Sequence, residues 1–137
     1  MTEFTLLLIK PNATRKHHIG EILTIIERHG FMIRKLKSFT FDLPLASQFY
    51  EEHIGKEFFD RLVTFMTSGM IVAALLEKDE AVYQLRELIG DTNPETRKMG
   101  SIRYLYADTY TENAVHASDT HDHALREIAL IFPEFKQ

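Results

Sequence analysis

Residues 113–119 read Asn113-Ala114-Val115-His116-Ala117-Ser118-Asp119, and the rest of the chain is arranged around them. A short apolar pair runs into His116, small and capping residues follow, and an apolar-periodic segment continues to Phe132. This pattern predicts a strand end, a tight turn and a helix start. A helix N-terminus favours negative charge, so an imidazole placed there suits anionic phosphoryl groups. Glu127 on the helix would fix the tautomer of the ring, and a purely structural histidine is the alternative.

The length and composition of the chain are typical of one soluble domain. With 137 residues, we expect a single domain spanning residues 1–137. A formal net charge of −4 argues against a nucleic-acid partner, and the absence of cysteine excludes disulfides and thiolate metal sites. The apolar run at residues 6–9 is too short for a signal peptide or a membrane span. We therefore expect a cytoplasmic enzyme or binding protein with no membrane partner.

The first apolar run, residues 4–9, predicts a central strand that is buried on both faces. Pro11 ends this strand because proline cannot extend a ladder of hydrogen bonds. Lys10 then projects its ammonium group from the strand end. A solvated lysine is the alternative interpretation of Lys10.

Apolar periods along the rest of the chain predict the other elements and the fold class. They are a helix at 19–26, a strand at 31–41, a helical hairpin at 45–54 and 58–66, a strand at 70–76, a helix at 80–89 capped by Asp79, and a last strand and helix after a long loop. This order favours an α+β fold, a ferredoxin-like α/β sandwich. Its four-stranded, mostly antiparallel sheet would carry helices on one face and an inserted helical hairpin.

The loop at 90–112 has no sustained apolar period, which is typical of a functional loop or lid. It carries Thr92 and Arg103, and Arg86 lies just before it on the predicted helix. Guanidinium groups match phosphate oxygens in bidentate fashion, so these side chains would form a phosphate cage if they converge. The alternative is that the arginines are scattered and solvated.

Five segments, in this order, resemble those of the nucleoside diphosphate kinase family. They are Lys10-Pro11-Asn12, Thr67-Ser68-Gly69, Gly90-Asp91-Thr92-Asn93-Pro94, Gly100-Ser101-Ile102-Arg103 and the stretch 113–119. The last, of the type Asn-x-x-His-Gly-Ser-Asp, is highly specific for the family, and the resemblance covers essentially the whole chain. It implies a ping-pong kinase that moves a γ-phosphoryl group from a nucleoside triphosphate to a nucleoside diphosphate. It also implies Mg²⁺ held mainly by the nucleotide phosphates, and a homo-oligomer, a tetramer or hexamer built from dimers.

The resemblance also implies roles for individual residues. His116 would be the nucleophile that becomes phosphohistidine, with Glu127 orienting its ring, Ser118 supporting Glu127, and Tyr50 supporting Lys10. The nucleotide-binding positions are Lys10 and Asn113 at the ribose and phosphate end, His53, Arg86, Thr92 and Arg103 at the phosphates, and Phe58 and Leu62 at the base. Because stacking on an aromatic ring tolerates every base, we expect broad base specificity.

Some residues depart from the family pattern. Tyr110 stands where the family usually has an aliphatic residue, opposite Phe58, and would add a second ring to the base site unless it turns outwards. The other departures are Asn12, Met70, Met99, Tyr104-Leu105 and Ala117, none of which removes a chemical group named above. Two rival interpretations are a catalytically weak family member and a small metal-binding domain that uses His116, His121 and His123. The spacing of His121 and His123 argues against a shared metal, because residues two apart point to different faces of a helix.

Overall fold

A four-stranded antiparallel sheet lies at the centre of the structure, a computed structural model that describes residues 2–136. The strands are β1 (Thr2–Ile9), β2 (Met32–Phe39), β3 (Ile71–Asp79) and β4 (Val115–Ala117), in the spatial order β2-β3-β1-β4. All three neighbouring pairs are antiparallel. β1 lies between β3 and β4, which explains why residues 6–9 are fully buried, as predicted for a central strand.

Helices connect these strands throughout the described residues. They are α1 (Pro11–Arg15), α2 (Ile19–Arg28), α3 (Leu43–Phe49), α4 (Phe59–Met66), α5 (Ala81–Ile89), α6 (Ile102–Tyr106) and α7 (His121–Ile131), with a 3-10 turn at Glu51–His53 between α3 and α4. α3 and α4 contact each other and form the predicted hairpin. β4 and α7 confirm the strand, turn and helix predicted around His116. None of the helices in the described part of the chain is long and apolar enough to cross a bilayer.

Helices cover both faces of the sheet, so the expectation that they lie on one face is wrong. Side chains alternate along β1, with Leu7 and Ile9 packing against buried residues of α2 and α5. Leu6 and Leu8 face the other way and pack against α3, α4 and α7. A strand that is apolar on both sides needs a hydrophobic layer on each side, and the hairpin and α7 supply the second one. The α+β sandwich with a four-stranded antiparallel sheet is otherwise confirmed.

The structure corrects the predicted cap of α5 and adds a short helix to the loop 90–112. The predicted cap of α5, Asp79, is the last residue of β3, and the N-cap position belongs to Glu80, whose side chain makes no capping bond. The Glu3 carboxylate from β1 instead accepts a hydrogen bond of 2.8 Å from the backbone N–H of Val82. Within the loop 90–112, α6 forms a short helix whose N-cap, Ser101, accepts from the backbone N–H of Tyr104 at 3.3 Å.

Gly90 ends α5 and lies against the start of α6 in a conformation that requires glycine. Its φ is +84°, and a Cβ at this position would lie 2.3 Å from Ser101 Oγ and 2.7 Å from Ser101 Cβ. The close approach directs the Gly90 carbonyl towards Arg103, whose Nη1 donates to it at 3.0 Å. Gly90 therefore joins the loop 90–112 to the end of α5.

Replacing Gly90 by alanine should destabilise the protein more than the same change at Gly55. Gly55 has a similar φ of +87° but no heavy atom within 4 Å of its hypothetical Cβ, so Gly55→Ala carries only the backbone strain. Gly90→Ala adds overpacking against Ser101, and we expect its free energy of unfolding to fall by about 1–3 kcal/mol more. Urea unfolding of the two variants measures this difference. Equal losses would show that Ser101 moves away without cost.

Candidate active site

A strained turn mounts His116 at the start of β4. The backbone N–H of Val115 donates to the carbonyl of Asn113 at 3.0 Å across Ala114, whose φ is 78°. This is a γ-turn with positive φ at its centre, a conformation that is costly for a residue with a Cβ. The Ala114 carbonyl accepts from the backbone N–H of Lys10 at 2.8 Å, which brings the end of β1 beside this turn. The turn thus places Lys10 and His116 at one edge of the sheet.

His116 is held through one of its two ring nitrogens. Its Nε2 lies 2.8 Å from Glu127 Oε1, and Ser118 Oγ donates to the same oxygen at 2.7 Å. Since Nε2 carries the proton that points to this carboxylate, the lone pair of the neutral ring resides on Nδ1. The ring is also fixed by edge-on contacts with Phe49 and Tyr50, at centroid distances of 5.1 and 6.2 Å. The predicted positions of Glu127 and Ser118 around His116 agree with this geometry.

Glu127 is buried and ionised. Burial alone would raise the pKa of its carboxyl group, but the charge of His116 and hydrogen bonds from His116 and Ser118 together hold that pKa below its usual value. An ionised carboxylate stabilises positive charge on the imidazole. Glu127 can therefore support His116 when the ring becomes charged.

His116 faces a small cleft that connects to a larger one. The first has a volume of about 160 Å³, and its wall includes His116, Tyr50, His53, Arg86 and Arg103. The second, of about 410 Å³, shares Arg86 and Arg103 with the first and adds Thr92. The four residues predicted to bind phosphate, His53, Arg86, Thr92 and Arg103, therefore line one continuous region next to His116.

Arg103 is buried and is held by backbone carbonyls. Its Nη1 donates to the carbonyl of Gly90 at 3.0 Å and its Nη2 to that of Val115 at 3.1 Å, while Nε has no partner among the described residues. Burial, followed by the positive charges of Arg86 and Arg97, lowers the pKa of Arg103 to about 10. A buried cation held by neutral groups favours an anionic ligand, because only an opposite charge offsets its desolvation.

Lys10 is a second buried cation near this region. Its Nζ donates to Asn113 Oδ1 at 2.9 Å, and Asn113 Nδ2 donates to the carbonyl of Tyr110 at 2.9 Å. Burial, followed by the charge of Arg103, lowers the pKa of Lys10 to about 7. The Tyr50 hydroxyl is also buried, and burial raises its pKa, but within residues 2–136 it makes no hydrogen bond to Lys10 or to any other group. The Tyr50 ring contacts His116 edge-on.

A third cleft, of about 290 Å³, lies beside Lys10. Its wall consists of Lys10, Phe58, Leu62, Tyr110, Thr111 and Asn113. Phe58 and Tyr110 both line this cleft and remain largely exposed, at 46% and 59% of their surface. Tyr110 therefore lines the predicted base site in this structure. Met99, Tyr104 and Leu105, three of the departures from the family pattern, are exposed and do not line any of these three clefts.

Two side chains outside the predicted set organise the loop. Arg97 donates to the carbonyls of Asp91 at 3.2 Å, Thr92 at 3.0 Å and Thr109 at 2.9 Å, so it ties the beginning of the loop to its end. Asn12 Nδ2 donates to Asp108 Oδ2 at 2.9 Å and to the carbonyl of Glu112 at 3.0 Å. An aspartate at position 12 would lack these donors, which explains why the amide suits this loop. No sequence pattern identifies such contacts, because most of their acceptors are backbone carbonyls.

Comparisons with known proteins assign the chain to a family. A family model described as nucleoside diphosphate kinase matches residues 3–137. Proteins named nucleoside diphosphate kinase from Actinobacillus pleuropneumoniae serotype 5b (strain L20) and Glaesserella parasuis serovar 5 (strain SH0165) are 51% and 49% identical over 132 residues, with 96% of each chain covered. A crystal structure of the Aquifex aeolicus nucleoside diphosphate kinase superposes with a TM-score of 0.93 at 42% identity, covering 96% of both chains. A Halobacterium salinarum nucleoside diphosphate kinase in complex with CDP gives a TM-score of 0.92 at 37% identity, covering 96% of this chain and 88% of that one.

The fold and these relatives define a phosphotransferase of the α+β class. The chain belongs to the nucleoside diphosphate kinase family.

The buried position of Lys10 predicts that nucleotide affinity depends on pH. With a pKa of about 7, Lys10 is charged below that pH in the free protein and uncharged well above it. An anionic nucleotide stabilises the charged form, so ADP with Mg²⁺ should bind with uptake of a proton above pH 7 and lose up to about tenfold in affinity per pH unit. Titration calorimetry in two buffers of different ionisation enthalpy measures this uptake. Lys10→Met should remove the part of this uptake that belongs to Lys10, and equal proton uptake by Lys10→Met and wild type would assign the proton to another group.

Proposed function

We propose that this chain transfers the γ-phosphoryl group of a nucleoside triphosphate to a nucleoside diphosphate through a phosphohistidine at His116 Nδ1. The observation that carries this proposal is the hydrogen bond of 2.8 Å between His116 Nε2 and Glu127 Oε1. It leaves Nδ1 as the nucleophilic nitrogen of a ring that lines a cleft with two arginines.

Each half-reaction is a single displacement at phosphorus. The Nδ1 lone pair forms a bond to the γ-phosphorus while the bond to the bridging oxygen breaks, and the diphosphate leaves with that electron pair. The ring becomes positively charged, and Glu127 stabilises this charge through the proton that remains on Nε2. The second nucleotide reverses the step, because its terminal phosphate oxygen attacks the phosphohistidine and Nδ1 recovers its lone pair.

Cations around the cleft supply the rest of the catalysis. Phosphoryl transfer depends on positioning and on charge neutralisation, which Arg86, Arg103 and Lys10 provide from three different elements. Thr92 and His53 add hydrogen-bond donors at the same walls. Mg²⁺ would enter as part of the nucleotide complex, since no group of three or more potential metal ligands converges in residues 2–136.

The third cleft would hold the base and the ribose. Phe58 and Tyr110 offer aromatic faces, Leu62 packs beside them, and Lys10 and Asn113 present polar groups at the inner end. None of the aromatic or aliphatic residues reads hydrogen-bond patterns of the base, which supports broad base specificity.

We also propose that the chain works as a single cytoplasmic domain within a homo-oligomer, a tetramer or hexamer built from dimers. β2 is an edge strand, and Met32 and Leu36 on it are more than half exposed. An exposed apolar edge strand is a common pairing surface between copies of a chain. Light scattering after size exclusion determines the number of subunits.

Changing His116 to alanine tests the proposed mechanism. Brief incubation of wild type with γ-labelled ATP should give an acid-labile, alkali-stable label on the protein, and His116→Ala should give none. Turnover should fall below about a thousandth of wild type, because the covalent nucleophile is lost, while ADP affinity changes by less than about tenfold. His121→Ala, an exposed histidine bonded to Glu3, is the matched control and should keep the label. Turnover of His116→Ala above that threshold would contradict the mechanism.

Changing Tyr110 to valine tests the second ring of the base cleft. Stacking of a base on an aromatic side chain contributes about 1–3 kcal/mol, so Tyr110→Val should weaken ADP binding about fivefold or more. UDP should lose less than ADP because a pyrimidine offers less stacking area. Tyr104→Val is the matched control, since Tyr104 is similarly exposed and lines none of these clefts. Unchanged calorimetric affinities for both nucleotides would exclude Tyr110 from the base site.

A further inference from the structure

A second histidine, His123, lies behind the wall of the cleft that contains His116. It belongs to the first turn of α7, and its two ring nitrogens point to two different carboxylates. Nδ1 is hydrogen-bonded to Asp119 Oδ1, and Nε2 lies 3.6 Å from Glu52 Oε2. Asp119 and Glu52 both line the cleft next to His116.

These two carboxylates are unfavourable neighbours for a nucleotide. A triphosphate that reaches His116 must approach Asp119 and Glu52, which line the same cleft, and like charges repel each other. A neutral imidazole has one N–H and can donate to only one of the two carboxylates. A protonated imidazole has two N–H groups and a positive charge, so it can serve both at once.

We propose that protonated His123 is a positioning residue that neutralises Asp119 and Glu52 and thereby admits the nucleotide phosphates to His116. This inference rests on the proposed phosphotransfer at His116 and assigns a role to a residue that does not itself line the cleft. It predicts that phosphate binding weakens when His123 loses its proton.

The charged groups around His123 come from three elements. Asp119 precedes α7, Glu52 lies on the 3-10 turn beside His53, and Glu127 follows one turn later on α7. The hydrogen bond and charge of Asp119 raise the pKa of His123, the charges of Glu52 and Glu127 act in the same direction, and burial opposes them. Burial raises the pKa of Asp119, but the bond to His123 and the charges of His123 and Arg86 bring it below its usual value. His123 therefore keeps its proton to a higher pH than a free imidazole, and the charged pair is lost as the pH rises through the pKa of His123.

Arg126, three residues along α7, makes a neighbouring connection that must be distinguished from this role. It forms an ion pair of 2.9 Å with Glu51 and donates to the carbonyls of Phe49 and Gln48. Arg126 therefore already attaches α7 to the segment that carries Glu52. Loss of His123 should leave this attachment in place, so its effect should be electrostatic.

The test compares His123→Gln with His121→Gln in steady-state kinetics with MgATP between about pH 6 and pH 9. For His123→Gln we expect the KM at pH 6.5 to rise about three- to tenfold and its dependence on pH to flatten, with kcat little changed. Added salt should reduce this difference because it screens the exposed carboxylates. His121→Gln should behave as wild type, since His121 pairs with Glu3 outside the cleft.

Removing a carboxylate should rescue the variant. Adding Glu52→Gln or Asp119→Asn to His123→Gln should restore most of the KM, because less negative charge then faces the phosphates. In the wild-type background Glu52→Gln should reduce the part of the rise in KM that accompanies deprotonation of His123, a measurement that does not require His123→Gln to fold. An unchanged KM in His123→Gln, or a raised KM that neither second substitution nor salt reduces, would overturn the proposal.

The phosphoenzyme assay is done first, because it separates the two proposals. A wild type without label overturns the proposed function itself, whereas a labelled wild type with either of those kinetic results overturns only the role of His123.

Discussion

The hydrogen bond from His116 Nε2 to the buried carboxylate of Glu127 joins β4 to α7, and the geometry of the site depends on it. Its length of 2.8 Å requires α7 to lie at a fixed height above the sheet. That height is set by the core, where Ile128 and Ile131 of α7 pack with Leu6 and Leu8 on one face of β1. A change in this packing would displace Glu127 and leave the His116 ring without its hydrogen bond. The orientation of His116 therefore depends on the packing of the core.

Around this bond the protein gathers positive charge that its own carboxylates do not neutralise. Lys10 and Arg103 are both buried, and the groups that accept their hydrogen bonds are an amide oxygen and two backbone carbonyls. Burial lowers the pKa of each, which means that the free protein holds these charges at a cost. Ala114, in its strained conformation, adds to that cost next to His116. An anionic ligand would offset it, so the same arrangement that destabilises the free protein favours phosphate binding.

The sequence predicted the part of this site that lies on one strand and on the helix that follows it. His116 and Glu127 are eleven residues apart, on a strand and the helix that follows it, and local pattern suffices for such a pair. The apolar run 4–9 predicted burial on both faces of β1. Helices were nevertheless expected on one face of the sheet only, because the apolar pattern of a helix does not show which face of the sheet that helix covers. Two further contacts could not be predicted from the sequence. Glu3 caps α5 although it lies far from that helix along the chain, and Arg97 holds the loop through backbone carbonyls, which every residue has. The convergence of Phe58 and Tyr110 depended on the family resemblance for the same reason.

The charges at the two ends of the site respond to pH in the same direction. Lys10 lies at the third cleft with a pKa of about 7, and His123, which contacts Asp119 and Glu52 of the cleft next to His116, has a pKa raised above its ordinary value. Raising the pH removes a positive charge at Lys10 and exposes negative charge at Asp119 and Glu52, and both changes oppose an anionic ligand. Arg103, with a pKa of about 10, keeps its charge over this range, so the cleft that it lines retains positive charge. Under the proposed function, the loss of nucleotide affinity at high pH therefore follows from Lys10 and His123 and not from Arg103.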